Sequence, residues 1–259
     1  MRKYHCIFYL LVLLFGCAGE RAVYMRDAVP RAEPLSKSGN PDSYVQNGRR
    51  YFVLPTARGY RERGIASWYG RKFHGRRTSS GEKYNMYAMT AAHKTLPLPS
   101  YVRVTNLKNR RSVVLRVNDR GPFVDNRIID VSYSAAEKLG MVRDGTALVE
   151  VVVVEPGAGR VVRKVQPRYE SATDWRDESH LQNRIFIQVG AYSSRQNAEK
   201  IVARLVGANV AAVRIQQSSE QGLILHRVRV GPLHTVSATD RLVADLANLG
   251  FNDSQIVIE

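Results

Sequence analysis

The sequence predicts two units of different class. The first is a mainly β domain that closes as a small barrel. The second is an α+β domain in the order βαββαβ, a four-stranded antiparallel sheet with two helices on one face. Three observations carry this. Residues 64–155 are dense in short apolar or alternating runs separated by turn residues. Residues 184–259 contain a strand–helix–strand pattern twice. Before and between these units no hydrophobic period is sustained.

In chain order, Met1-Arg2-Lys3 is a positive n-region. The apolar stretch from Ile7 to Phe15 is too short to span a bilayer as a mature helix, so residues 1–16 read as a secretory signal. Leu14-Phe15-Gly16-Cys17 resembles the lipobox of bacterial lipoproteins. That resemblance makes Cys17 the lipidated first residue of the mature chain, and Ala18 behind it suggests an outer-membrane anchor. Cys6 leaves with the signal, so no second cysteine remains for an intramolecular disulfide. The cores alone must hold the protein together, even in an oxidising compartment.

Residues 17–60 scatter prolines and glycines among charges and serines and read as a flexible tether, with Tyr44, Tyr51 and Phe52 able to dock locally. Residues 61–156 are the predicted barrel. Ile65-Ala66-Ser67-Trp68-Tyr69 opens it, Tyr101-Val102-Arg103-Val104 alternates, and Ser112 to Val117 and Ala147 to Val154 are apolar strands. A short helix ends at Gly140. Two similar halves, each running through a turn or short helix into a strand, predict pseudo-two-fold closure, which also removes open sheet edges. Residues 157–183 lose the pattern and read as a linker.

In residues 184–259, Ile185, Ile187 and Val189 face the helices, and Phe186 and Gln188 face the other way. A first helix, capped by Ser193 or Ser194, carries Ala198, Ile201, Val202 and Leu205; a strand from Val210 to Ile215 follows. In the second copy Val228 and Val230 point inward, and Leu225, Arg227 and Arg229 outward. The open face is a binding surface or a solvated basic face. Aromatic RNA-binding motifs are absent from it.

Lysine and arginine number 39 against 23 acids, a net charge of +16, which calls for an anionic partner. Nucleic acid, an anionic membrane and an acidic polymer all fit the charge; the secretory signal argues against nucleic acid. No cluster of histidine or cysteine has metal-ligand spacing, and no phosphate-cradling glycine loop occurs, so no cofactor is expected.

The most pointed local signal is Val117-Asn118-Asp119-Arg120-Gly121-Pro122-Phe123, where a buried strand breaks into turn chemistry. Asp119 at that exit is a turn acid paired with Arg120, or a carboxylate presented to a cleft. Around it, in order, stand Ala66-Ser67-Trp68-Tyr69-Gly70, Phe73-His74-Gly75, Thr78-Ser79-Ser80-Gly81-Glu82-Lys83-Tyr84, Met89-Thr90-Ala91-Ala92-His93-Lys94-Thr95-Leu96-Pro97 and Arg127-Ile128-Ile129-Asp130. This set closely resembles the rare lipoprotein A family of septal lytic transglycosylases, whose catalytic domain is a double-psi β-barrel. Ile187-Gln188-Val189-Gly190-Ala191-Tyr192 with Arg227-Val228-Arg229-Val230-Gly231-Pro232 resembles a sporulation-related repeat (SPOR) domain, a module that binds peptide-stripped glycan.

The resemblance implies cleavage of the bond between N-acetylmuramic acid and N-acetylglucosamine, with the muramyl 6-hydroxyl attacking its own anomeric carbon to leave a 1,6-anhydro end. It implies Asp119 as the main acid/base and Glu82 as a stabiliser of positive charge or an orienting group. His93 and Tyr69 are expected to position substrate, and Phe186, Gln188, Arg227 and Arg229 to bind glycan. Asp130 is read as structural. Partners implied are peptidoglycan strands, the outer membrane through the lipid, and septal ring proteins; the expected place is the division septum. Ser79 stands where alanine is usual and Arg110 where glycine is common, neither expected to touch the acidic positions. The alternative is a non-catalytic wall-binding lipoprotein. One carboxyl must keep a proton near neutral pH, and Arg120 beside Asp119 works against that.

Overall fold

Apolar residues at every second position build the first unit strand by strand. The computed structural model describes residues 26–157, 184–220 and 222–259. A hairpin of β1 (Ser43–Gln46) and β2 (Arg49–Phe52) turns at Asn47-Gly48, both at positive φ, as a two-residue turn demands. Then come β3 (Arg61–Trp68), a single 3-10 turn (Arg71–Phe73), β4 (Thr90–His93), β5 (Ser100–Asn106), β6 (Ser112–Asp119), β7 (Arg127–Val131), α1 (Tyr133–Leu139) and β8 (Thr146–Val153). The second unit runs β9 (Ile185–Tyr192), α2 (Arg195–Gly207), β10 (Val213–Glu220), β11 (Leu223–Leu233), α3 (Val236–Asn248) and β12 (Gln255–Ile258).

The strands β3-β7-β4-β6-β5-β8 close into a barrel. The pairs β3–β7 and β4–β6 are parallel and the others antiparallel. Exchanging β3 with β6, β4 with β7 and β5 with β8 maps this pairing onto itself, the two-fold relation expected of the repeated halves. Val102, Leu115, Val117, Ile129, Val131 and Val149 fill the interior with no exposed surface. Ser132 caps α1 by accepting from the Ala135 amide, and Gly140 ends it in the left-handed conformation.

The expectation of a flexible tether fails over residues 26–60. The Ala28 amide donates to Val114, Ser36 to Leu98 and Leu54 to Thr95. Tyr44 and Tyr51 stack 5.2 Å apart and pack on Phe123. Prolines and charges prevent long regular elements here. They do not prevent backbone groups from finding partners on a barrel wall. Cys17 and the signal lie outside the described residues, as does the predicted linker beyond residue 157.

The second sheet has the order β10-β11-β9-β12, antiparallel throughout. Ile187, Val189, Val228 and Val230 pack with Ala198, Leu205 and Leu246 of the helices, as the alternation required. β10 starts at Val213 rather than Val210 because Asn209 and Ala212 adopt positive φ. Ser194 is the residue before α2, but its side chain makes no capping bond. Arg127 of β7 reaches Asp240 of α3 through two hydrogen bonds of 2.9 and 2.7 Å, an ion pair between the units.

Candidate active site

β6 delivers Asp119 as its last residue, and a bulge decides where it points. Ala91 of β4 pairs with Val117, yet Ala92 pairs with Asp119, leaving Asn118 as the extra residue. Strict alternation from core-facing Val117 would have turned Asp119 back into the barrel; the bulge re-aims it. On its other side Ala92 pairs with Asp130 of β7, and Asp130 pairs with Ser67 of β3. Ser67, Asp130, Ala92 and Asp119 thus form one row across four strands. Their neighbours Ala66, Ala91, Ile129 and Val117 face the core, so the row faces outward. Strand spacing puts the two aspartate backbones on the order of 10 Å apart, on either side of Ala92.

Asp119 is cradled. Its Oδ1 accepts from the Ser79 amide, the Ser79 hydroxyl and the Arg120 amide, each at 2.8 Å. Ser79 therefore does touch an acidic position, contrary to expectation. A serine hydroxyl reaches a carboxylate here because residues 75–84 fold as a tight hairpin. The Thr78 amide donates to Glu82, Gly75 to Tyr84 and Tyr84 to Arg76. Gly39, in the docked segment of residues 26–60 that straps the barrel, has φ +82°, and a Cβ there would meet the Ser79 carbonyl at 2.7 Å, so the close approach needs glycine.

Arg120 does not pair with Asp119. Its Nε donates to the Gly39 carbonyl at 2.9 Å, its NH2 to Asn40 Oδ1 at 3.1 Å, and its NH1 to the carbonyls of His93 and Leu96. The strap and the turn after β4 draw the guanidinium away from its neighbour.

Glu82 sits in a second cluster. Arg116 NH1 reaches both of its oxygens at 2.7 and 3.0 Å, and Asn118 Nδ2 donates to Oε2 at 2.8 Å. The same arginine holds Glu33 of the strap, NH2 to Oε2 at 2.8 Å. Arg116 and Asn118 thus gather Glu82, while the residue after the bulge turns to Ser79.

Asp130 is the acid that sequence reasoning set aside. Burial raises its pKa above that of a free aspartate, and the charge of Asp119 adds to the rise. The hydrogen bond from Ser67 and the charges of Arg127 and Lys94 oppose it. The signal was present in the sequence: Asp130 lies between core residues Ile129 and Val131, so alternation had to turn it outward. Tyr69 feels the charges of both aspartates, although burial is the main reason its pKa is raised. Its ring stacks on Tyr84 at 4.0 Å, and its buried hydroxyl has the buried Thr90 hydroxyl as its neighbour.

His93 is 3 % exposed, and both ring nitrogens are engaged. Nδ1 accepts from the Thr95 and Leu96 amides at 3.2 and 3.0 Å, so the neutral ring carries its proton on Nε2, 2.8 Å from the Tyr60 hydroxyl. It holds the turn on which Arg120 rests. Burial, then the charges of Arg120 and Lys94, push its pKa down to about 3. The unfolded chain takes up this proton near 6.5 and the folded chain does not, so stability is full above pH 6.5 and falls between 6.5 and 3. In that window His93 should contribute a loss of about 1.4 kcal/mol per pH unit, read as the difference in the pH dependence of urea unfolding between wild type and His93→Gln.

In the second unit Phe186 lies on the predicted side of the sheet, but it has no exposed surface. The Arg214 guanidinium stands 3.9 Å above its ring. Arg227 donates to Ser218 and Gln188, and Arg229 to Gln216 and Glu259. The expected open face is a network of tied side chains rather than loose cations over an exposed aromatic ring.

Comparison with known proteins fits this architecture. Residues 61–151 match the family described as Lytic transglycolase, and residues 182–258 match the SPOR domain. The endolytic peptidoglycan transglycosylase RlpA of Vibrio cholerae is 37 % identical, covering 99 % of this chain and 97 % of its own. The chain belongs to the RlpA family. The Pseudomonas aeruginosa RlpA is 40 % identical over 86 % of this chain and 78 % of its own. The Neisseria meningitidis RlpA is 55 % identical over 58 % of this chain and 62 % of its own. RlpA membership accounts for the double-psi barrel and the SPOR sheet together, in the order found here.

Proposed function

We propose that the protein is a lytic transglycosylase acting on peptide-stripped peptidoglycan at the septum, anchored to the outer membrane through Cys17. The observation that carries the catalytic part is the row of two outward carboxyls, Asp119 and Asp130, on either side of Ala92. RlpA membership supports the reaction class. In this reading the Asp130 carboxyl gives its proton to the glycosidic oxygen as the bond to the muramyl anomeric carbon breaks. The departing N-acetylglucosamine leaves with a 4-hydroxyl. Asp119, whose Oδ1 is already held by three donors, stabilises the cationic sugar and takes the proton of the muramyl 6-hydroxyl as that oxygen closes on the anomeric carbon. No water is consumed. A proton passing from Asp119 to Asp130 through solvent restores the site. Glu82, tied to Arg116 and Asn118, fixes the hairpin that holds Asp119 and contributes negative potential. His93 and Tyr69 act through packing, and Phe186, Gln188, Arg227 and Arg229 shape the SPOR glycan surface.

The test is incubation of the mature protein with denuded glycan strands and mass spectrometry of the products. The expected products carry 1,6-anhydromuramyl ends. Reducing ends would replace the intramolecular attack with hydrolysis, and binding without cleavage would leave a wall-binding lipoprotein. Removing residues 184–259 should abolish septal enrichment by fluorescence microscopy and leave cleavage in vitro. A truncated chain still concentrated at the septum would move the address to the barrel or to a septal ring partner.

A further inference from the structure

The barrel carries a cationic rim that the catalytic assignment does not use. Residues 71–77 read Arg-Lys-Phe-His-Gly-Arg-Arg and are exposed throughout. Among the described residues, Arg71, Lys72, Arg76, Arg77 and Lys83 form no ion pair. Nearby arginines differ: Arg116 is saturated by Glu33 and Glu82, and Arg127 by Asp240. Phe73 keeps 37 % of its surface exposed. Lys72 Nζ stands 5.0 Å and the Arg76 guanidinium 5.9 Å from its ring centre. An exposed ring flanked by unneutralised cations offers one surface to a sugar face and another to an anion.

The rim is mechanically tied to the catalytic row. Phe73 packs edge-on against Tyr69, and Tyr69 stacks on Tyr84. Arg77 and Lys83 pair across the hairpin whose tip supplies the Ser79 donors to Asp119. A ligand gripped at the base of this hairpin is therefore held at a set distance from Asp119. We infer that the 71–83 hairpin reads the free lactyl carboxylate of a muramic residue beside the cleaved bond, and so supplies the barrel's own preference for peptide-stripped glycan. This rests on the transglycosylase reading and adds its specificity determinant. The chemistry is simple: a stem peptide converts the lactyl carboxylate into an amide, and stripping the peptide restores one negative charge per disaccharide.

The experiment is a two-by-two comparison with the full mature chain. The substrates are short soluble denuded strands and the same strands with their lactyl carboxylates converted to methyl amides. The enzymes are wild type and the triple variant Arg71→Gln, Lys72→Gln, Arg76→Gln, which leaves Arg77 on its Gly81 carbonyl. Wild type should show a roughly tenfold higher KM on the amidated strands, as expected for a few exposed ion pairs acting together, with kcat within twofold. The triple variant should show that higher KM on both substrates, and added salt should raise only the wild-type KM on the free-carboxylate strands. A triple variant that keeps the wild-type KM, or discriminates between the substrates as wild type does, overturns the inference and leaves the transglycosylase reading standing. Wild type that produces anhydro ends from neither substrate overturns both.

Discussion

Asp119→Asn should abolish measurable formation of anhydro ends, a fall of roughly 10²–10⁴ in kcat, the usual worth of a positioned acid/base. The amide keeps the shape and retains an Oδ1 for the Ser79 and Arg120 donors. It loses the negative charge and the capacity to take the 6-hydroxyl proton. Circular dichroism and sedimentation with denuded glycan should therefore match wild type. The bulge at Asn118 makes this a clean comparison, because Asp119 faces outward and contributes nothing to the apolar core. Near-wild-type turnover by the variant would remove Asp119 from the reaction.

Asp130→Asn should cost a comparable factor in kcat, and its pH behaviour separates chemistry from structure. The groups facing Asp130 are Ser67 on β3, Lys94 just after β4, Arg127 on its own strand, Asp119 on β6, and Tyr69 and Tyr84 beside the row. Burial leads the rise in its pKa, so the proton needed by the leaving oxygen persists to higher pH than on a free aspartate. Wild-type kcat should fall as pH rises through that value, and the residual activity of the variant should lack this limb. The stability sign is independent. A carboxyl whose pKa is raised by folding contributes stability below its unfolded pKa of about 3.9 and loses it as pH rises through the folded value. Asparagine carries no such loss and keeps an acceptor for Ser67. The variant should thus match or exceed wild type in Tm at pH 7. A lowered Tm with an unchanged pH profile would make Asp130 structural.

The first prediction depends on something local sequence patterns do not encode, the position of Arg120. Read along the chain, Arg120 is the nearest charge to Asp119 and the obvious partner. In the fold it is drawn off by Gly39, Asn40, His93 and Leu96, two segments that meet only when the strap lies across the barrel. Glu82 shows the same limit. The family resemblance implied a role for it beside Asp119. That its partner Arg116 is shared with Glu33 required the strap, which was read as a tether because prolines and charges resemble a linker whether or not the segment docks.

The sequence by itself determined what rests on period and local turn chemistry. Alternation set the inward and outward faces of the strands, the duplicated patterns set the two-fold barrel and the βαββαβ sheet, and the break after Val117 set a carboxylate at a strand exit. Tertiary structure alone decided which carboxyls meet. A one-residue bulge brings Asp119 into register with Ala92, and strand order places Asp130 on the other side of that alanine, although the two acids come from strands that are not neighbours. Register across a barrel depends on closure of the whole sheet, a global condition that no window of sequence contains.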